Sequence, residues 1–228
     1  MGQAVALNLD YEPGQTPLDP DEAAGLLPGH ITTQGDLNEW EQANILRAEQ
    51  WLGRQRKAEV MSEAFCRELH RRMFDQTWRW AGQFRQSDKN IGCDWRQVPL
   101  RLRQLLDNTA FQLTEKVYPL DEAATRFHHQ LVLVHPFPNG NGRHARLMTD
   151  VLLRQQGGVR FSWGERKLVA TGTARQSYIA ALRAADAGDP QPLMVFVRSC
   201  RSQRAGGPQH LDTFRHRALT QPPYIAPF

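Results

Sequence analysis

The chain is poor in cysteine, poor in lysine and without any long apolar run. Its three cysteines, Cys66, Cys93 and Cys200, are isolated and form no CxxC pair. No disulfide framework or zinc site is expected, only buried or idle thiols in a reducing cytoplasm. The apolar stretch Leu131–Val134 is far short of the roughly 20 residues of a membrane span, so no membrane segment is expected. The opening MGQAVALNLDYEPG has no basic region followed by a long apolar one, which argues against a signal peptide. Only four of the 28 basic residues are lysine. No nucleic-acid motif accompanies the arginines, so they are read as composition plus a phosphate site and nucleic acid is not an expected partner.

Positive charge is also missing from one end. No Lys or Arg precedes Arg47, while Asp10, Glu12, Asp19, Asp21, Glu22, Asp36, Glu39 and Glu41 all lie before it. The chain's net charge of +4 therefore divides into −8 over residues 1–46 and +12 over the rest. Two such parts attract each other. The readings are a solvated acidic tail, or an acidic arm folded over a basic, phosphate-binding site.

What is present is an ordinary globular balance in 228 residues, 40% hydrophobic and 23% charged. This excludes disordered, collagen-like and coiled-coil chains and allows a single sizeable core. Apolar spacing predicts helices over about 37–53 (N-cap Asp36), 58–76, 97–117, 121–134, 142–156, 172–187 and 190–201, with a short one at DEAAGLL and a weak signal near Thr213–Leu219. FRQSDKNIGCDWRQV alternates in character and carries turn residues, which predicts a β-hairpin flap over 84–96. The fold class is mainly α: a helical bundle with a short β-hairpin flap beside the active-site loop. The expected organisation is an acidic N-terminal arm (1–35), a domain over 36–204 and a C-terminal tail (205–228).

The chemistry concentrates in HPFPNGNGRHAR, residues 135–146. An apolar helix delivers His135, and a tight Gly140-Asn141-Gly142 turn, favouring residues that tolerate positive φ, leads into a new helix. The free amides and positive dipole end of such a helix make an anion site. Arg143 and Arg146, three apart on one face, suit separate phosphates of a polyphosphate. His135, with a near-neutral pKa, can take a proton from a hydroxyl nucleophile. Phe137 anchors the loop in the core. The pattern predicts nucleotide or phosphoryl transfer to a hydroxyl. His128 and His129, beside His135, are read as packing and hydrogen-bonding residues, not metal ligands.

HPFPNGNGRHAR resembles the signature HxFx(D/E)GNGRxxR of Fic-domain proteins. WRWAGQFR (78–85), AATRFHHQLVLVHPF (123–137) and RQSYIAALRAADAGDPQPLMVF (175–196) are similar to flanking regions of that family, over roughly residues 40–200. Residues 7–45 further resemble the subgroup called mobile mystery protein B, which is associated with mobile elements and a helix-turn-helix partner protein. The resemblance implies AMP transfer from ATP to a protein Ser, Thr or Tyr hydroxyl, with ATP and Mg²⁺ as cofactors, and suggests the toxin of a toxin–antitoxin-like pair. It implies that His135 is the general base, that Gly140, Asn141 and Gly142 form the anion hole, and that Arg143 and Arg146 hold the β- and γ-phosphates. The flap, Ser87, Asp88, Lys89, Asn90, Ile91 and Gly92, would pair with a target segment by strand addition.

Two departures matter. The family's acidic, Mg²⁺-binding position is Asn139, whose neutral amide oxygen is a weaker hard ligand, so Mg²⁺ is expected to arrive mainly on the ATP phosphates. Many family members are held off by a glutamate that pairs with the second motif arginine, here Arg146, within a pattern (S/T)xxxE(G/N). That pattern has no clean match; the nearest segment is DLNEWEQANI, with Glu41 preferred over Glu39 as the inhibitory residue. The alternatives are transfer of another phosphate-containing group, or a catalytically silent Fic-fold binding module in which Asn139 marks lost metal chemistry.

Overall fold

The computed structural model describes residues 16–55, 58–164 and 173–199. Within them the chain is mainly helical: α1 (Pro20–Ala23), α2 (Gln34–Arg54), α3 (Glu63–Phe74), α4 (Val98–Thr114), α5 (Leu120–Val134), α6 (Asn141–Gln155), α7 (Thr173–Asp186) and α8 (Gln191–Arg198). A 3₁₀ turn, Trp95–Gln97, leads into α4. The helical signal near Thr213–Leu219 and the tail from 205 lie outside the described residues.

Helix α2 starts earlier than its spacing predicts. Its N-cap is Thr33, not Asp36: the Thr33 hydroxyl accepts from Asp36 N at 3.2 Å, and the Asp36 carboxylate accepts from Thr33 N at 3.3 Å. This reciprocal capping box satisfies two otherwise orphaned amides. The buried stripe of α2 is Leu37, Glu41, Asn44, Ile45, Ala48 and Leu52, which follows the helical period and carries two polar residues inward.

Helix α5 packs against α4 and α6, α2 against α3, and α7 against α8. The centre is filled by Leu69, Met73 and Phe74 of α3, Leu102 of α4, Phe127 and Leu131 of α5, and Met148 and Leu152 of α6, all at most 1% exposed. Burying such a side chain contributes about 1.5–3 kcal/mol each. The core thereby fixes the end of α5 against the start of α6, and the loop 135–140 between them carries the motif.

The expected hairpin over 84–96 is not formed. That segment runs through bends into the 3₁₀ turn and holds no strand residue, while Leu26 and Trp78 form an isolated antiparallel bridge. The cause is Arg85, 1% exposed, whose guanidinium takes the carbonyls a strand ladder would use. It donates to Ser87 O at 2.8 Å and to Cys93 O, while the Asp88 carboxylate accepts from Trp95 N at 2.9 Å. The segment is therefore closed by side chains.

Candidate active site

His135 ends α5 in the left-handed region (φ 51°, ψ 62°), an uncommon place for a residue with a Cβ. Arg85 holds it there. Its Nε donates to His135 O at 2.6 Å, and its backbone N donates to Pro136 O at 3.0 Å. A buried guanidinium donating to several carbonyls is a charge-assisted staple between the flap segment and the motif loop.

The loop is closed from within. Asn141 Oδ1 accepts from Phe137 N at 2.9 Å and its Nδ2 donates to Phe137 O at 2.8 Å, so this buried side chain braces the turn. The Phe137 ring, fully buried, stacks on His70 with centroids 3.7 Å apart. His70 Nδ1 accepts from Gly82 N at 3.0 Å, which leaves Nε2–H to donate to Asn139 O at 3.1 Å. Burial pushes the His70 pKa well below its usual value, so the ring bridges these two backbone groups as a neutral imidazole.

Gly140 has φ +75°, and a Cβ there would lie 2.5 Å from the Phe74 ring, so no other residue fits without strain. Gly142 differs from the expected positive-φ turn. It lies inside α6 outside the positive-φ residues, and a Cβ there would meet nothing within 4 Å. His144 N is the amide that bonds back to Gly140 O, at 2.9 Å, so those of Asn141, Gly142 and Arg143 precede the intrahelical ladder. They form the positive end of α6.

The two motif arginines meet different neighbours. Arg143 Nη1 lies 2.6 Å from Glu41 Oε2, with its guanidinium over the Phe74 ring. Arg146 lies over Tyr178, 4.6 Å from the ring centroid, and near Trp163 at 5.9 Å. Glu41 thus pairs with the first motif arginine, whereas the expected pairing was with Arg146. Glu41 is 4% exposed, and its other oxygen accepts from Trp78 Nε1 at 2.7 Å. Glu39 is exposed on the outer face of α2.

The arm reaches the same place. Thr16 Oγ1 lies 3.0 Å from His135 Nε2, and Thr16 O accepts from Asn139 Nδ2 at 2.9 Å. Asp19 accepts from Ser87 Oγ at 2.5 Å and from Lys89 Nζ at 2.8 Å, and Glu22 takes the same ammonium at 2.6 Å. Burial pulls the His135 pKa down to about 4, below the near-neutral value expected for a free base. Of the other flap residues, Asn90 and Ile91 are exposed, and Gly92 (φ +113°) lies where a Cβ would strike His135 and Arg85.

Asn139 does not offer a ready metal site. Its Oδ1 accepts from Gly140 N at 2.6 Å and its Nδ2 is given to Thr16 O. Among the described residues no group of three or more His, Cys, Asp or Glu side chains gathers as a metal site would. His128 bonds the Tyr178 hydroxyl at 2.8 Å and His129 bonds Asp186 at 2.7 Å, the packing and hydrogen-bonding roles expected of them. Cys66 is fully buried and its thiol is pushed far above its usual pKa by burial.

Sequence reasoning missed four contributors: Arg85, His70, Thr16 and Trp78. Arg85 and Trp78 lie inside the quoted segment WRWAGQFR, and His70 inside a predicted helix, but their burial is set by tertiary packing. For Thr16 the signal was the charge of the arm around it.

Residues 60–153 match the model of the Fic/DOC family. Protein adenylyltransferase fic-1 of Caenorhabditis elegans is 32% identical over 97 residues, which is 42% of this chain and 18% of that protein. Protein adenylyltransferase Fic of Aedes aegypti is 30% identical over 123 residues, 52% of this chain and 23% of that protein. The chain thus spans less than a quarter of the length of these curated relatives. Among solved structures, BepC of Bartonella tribocorum with bound AMPPNP superposes with a TM-score of 0.62 at 18% identity, over 79% of this chain and 97% of that one. Fic-1 of C. elegans superposes with a TM-score of 0.55 at 23% identity, over 77% and 50%. The helical arrangement is that of Fic-domain structures.

Proposed function

We propose, from the premise that residues 60–153 of this chain form a Fic/DOC-family domain, that the protein moves AMP from ATP to a hydroxyl side chain of a protein and is restrained by its own N-terminal region. The observation that carries the reading is the placement of His135 beside the amide end of α6, with Arg143 and Arg146 on that helix.

In this reading the amides of Asn141, Gly142 and Arg143 and the two guanidinium groups bind the phosphate chain, and His135 Nε2 accepts the hydroxyl proton. The His135 Nδ1 faces Val132 O at 3.4 Å, an acceptor only, which puts the ring proton on Nδ1 and leaves Nε2 free to act as base. Catalysis then rests on positioning and on charge stabilisation at the α-phosphorus. Asn139, whose amide is committed to Gly140 N and Thr16 O, does not fit the part of a metal ligand. Mg²⁺ enters as the counter-ion of ATP. Glu41, by neutralising Arg143, competes with phosphate for that guanidinium and is the inhibitory residue.

The target is a protein with a Ser, Thr or Tyr hydroxyl. A helix-turn-helix partner and a toxin role rest on the resemblance of residues 7–45. The commitment of the Asn139 amide to Gly140 and Thr16 favours the second reading, a catalytically silent module. Incubation with α-labelled and, separately, γ-labelled ATP plus bacterial lysate separates these, with His135→Ala as control. Label from α only, lost in the variant, is the expected result. Label from γ only means phosphoryl transfer, and none from either, with Glu41→Gly included, means a silent module.

A further inference from the structure

The described arm does more than cover the site: it lies in it as an acceptor would. Thr16 is the hydroxyl side chain bonded to His135 Nε2, at 3.0 Å, and it is 8% exposed. With the ring proton on Nδ1, the Thr16 hydroxyl is the donor and its proton already points at the base. The backbone at Thr16–Asp19 is outside any helix. It is fixed at both ends, by Asn139 Nδ2 on Thr16 O and by Ser87 and Lys89 on the Asp19 carboxylate. Ser87 and Lys89 are flap residues, the place expected for a target segment. Trp80 Nε1 adds a further tie at Glu22 O, 2.9 Å away.

This also accounts for Asn139. An amide nitrogen there can donate to the Thr16 carbonyl; a carboxylate, an acceptor only, would repel it. Asn in place of an acidic residue thus gives the arm a donor at Thr16 O.

We propose that Thr16 is an acceptor of AMP within its own chain, the arm serving as a built-in substrate segment docked on the flap. The proposal rests on the AMP-transfer reading above. The Thr16 Oγ1 attacks the α-phosphorus of ATP, and its proton passes to His135 Nε2. The Oγ1–P bond forms as the bond from the α-phosphorus to the bridging oxygen breaks, and pyrophosphate leaves. A hydroxyl held against its base by two anchors enters this step with little orientation left to lose.

The test uses the full chain carrying Glu41→Gly, incubated with ATP and Mg²⁺, then digested with trypsin and analysed by mass spectrometry. No Lys or Arg precedes Arg47, so the arm is released as one peptide, 1–47. The expected result is one AMP on that peptide, located at Thr16 by fragmentation and formed at a rate independent of protein concentration. Thr16→Ser retains it and Thr16→Val loses it. AMP on lysate proteins or on other residues of the chain, with none on Thr16, overturns this proposal and leaves AMP transfer standing. A rate proportional to protein concentration overturns the intramolecular geometry. No AMP on any protein, with lysate added, overturns both.

Discussion

Glu41 Oε2 lies 2.6 Å from Arg143 Nη1, and the same carboxylate accepts the indole N–H of Trp78 at 2.7 Å. One buried acid therefore has two partners, one on the motif helix α6 and one in the core. Removing it has two separable consequences.

Glu41→Gly should raise AMP incorporation by freeing Arg143, and should also leave the Trp78 N–H without a partner. An unsatisfied buried donor costs about 1–3 kcal/mol. Glu41→Gln removes the charge but keeps an acceptor for Trp78. We expect both variants to gain activity and only Glu41→Gly to lose several degrees of melting temperature. Labelling assays and thermal melts on the same preparations check this; unchanged labelling in both would remove Glu41 as the inhibitory residue.

Gly140 and Gly142 should respond differently to alanine. At Gly140 the new methyl meets the Phe74 ring and the backbone is left-handed, so Gly140→Ala should destabilise by about 1–3 kcal/mol and abolish transfer. Gly142→Ala meets no protein atom and sits in a helix, so stability should hold. Denaturant midpoints for the two variants give the comparison.

Arg85→Met should be more harmful to stability than most surface arginine changes. The guanidinium supports Ser87, Cys93 and His135 carbonyls, and hydrogen bonds to charged groups contribute about 1.5–3 kcal/mol each. Loss of the left-handed His135 geometry should cost activity even at temperatures where the variant stays folded. Circular dichroism melts and labelling below the melting point separate the two effects.

Acid should destabilise the fold through its buried histidines. Burial lowers His135 and His144 to about 4 and His128 to about 3. An unfolded chain returns them to about 6.5. A depressed folded pKa means that the unfolded chain binds more protons between those values. The stability contribution is full above about pH 6.5 and falls as pH drops toward 4 and 3. Thermal melts at pH 5 and pH 7.5 should show the lower midpoint at pH 5; an equal or higher one contradicts the neutral-imidazole core.

Much of this was legible in the sequence. Helices α4 to α8 lie close to where their spacing puts them, because apolar periodicity reports burial directly, while α3 begins at Glu63 after its Ser62 cap and not near 58. The burial of Phe137 in the core was also readable. The hairpin was not: an alternating, turn-rich segment looks like strands, and only the buried Arg85 reveals what replaces the ladder. The partner of Glu41 was not readable either. Local spacing places Arg143 and Arg146 on one helix, but which of them faces α2 depends on how the helices pack. Asn139 shows the same limit from another side. Its departure from an acidic residue was plain, while the bond to Thr16 O required a contact across more than a hundred residues.

Asn139→Asp should exchange that donor for an acceptor. We expect looser seating of the arm, read as faster proteolysis before Arg47, together with tighter Mg²⁺ dependence and higher labelling. No change in metal dependence or labelling would count against assigning position 139 to the metal side of the site.

The most direct measurement of the central claim follows the products of ATP with the Glu41→Gln chain and added lysate, with and without His135→Ala. AMP transfer through His135 predicts pyrophosphate released in step with protein-bound AMP, and neither when His135 is replaced. ADP or phosphate as the product, or pyrophosphate release that persists without His135, would contradict it.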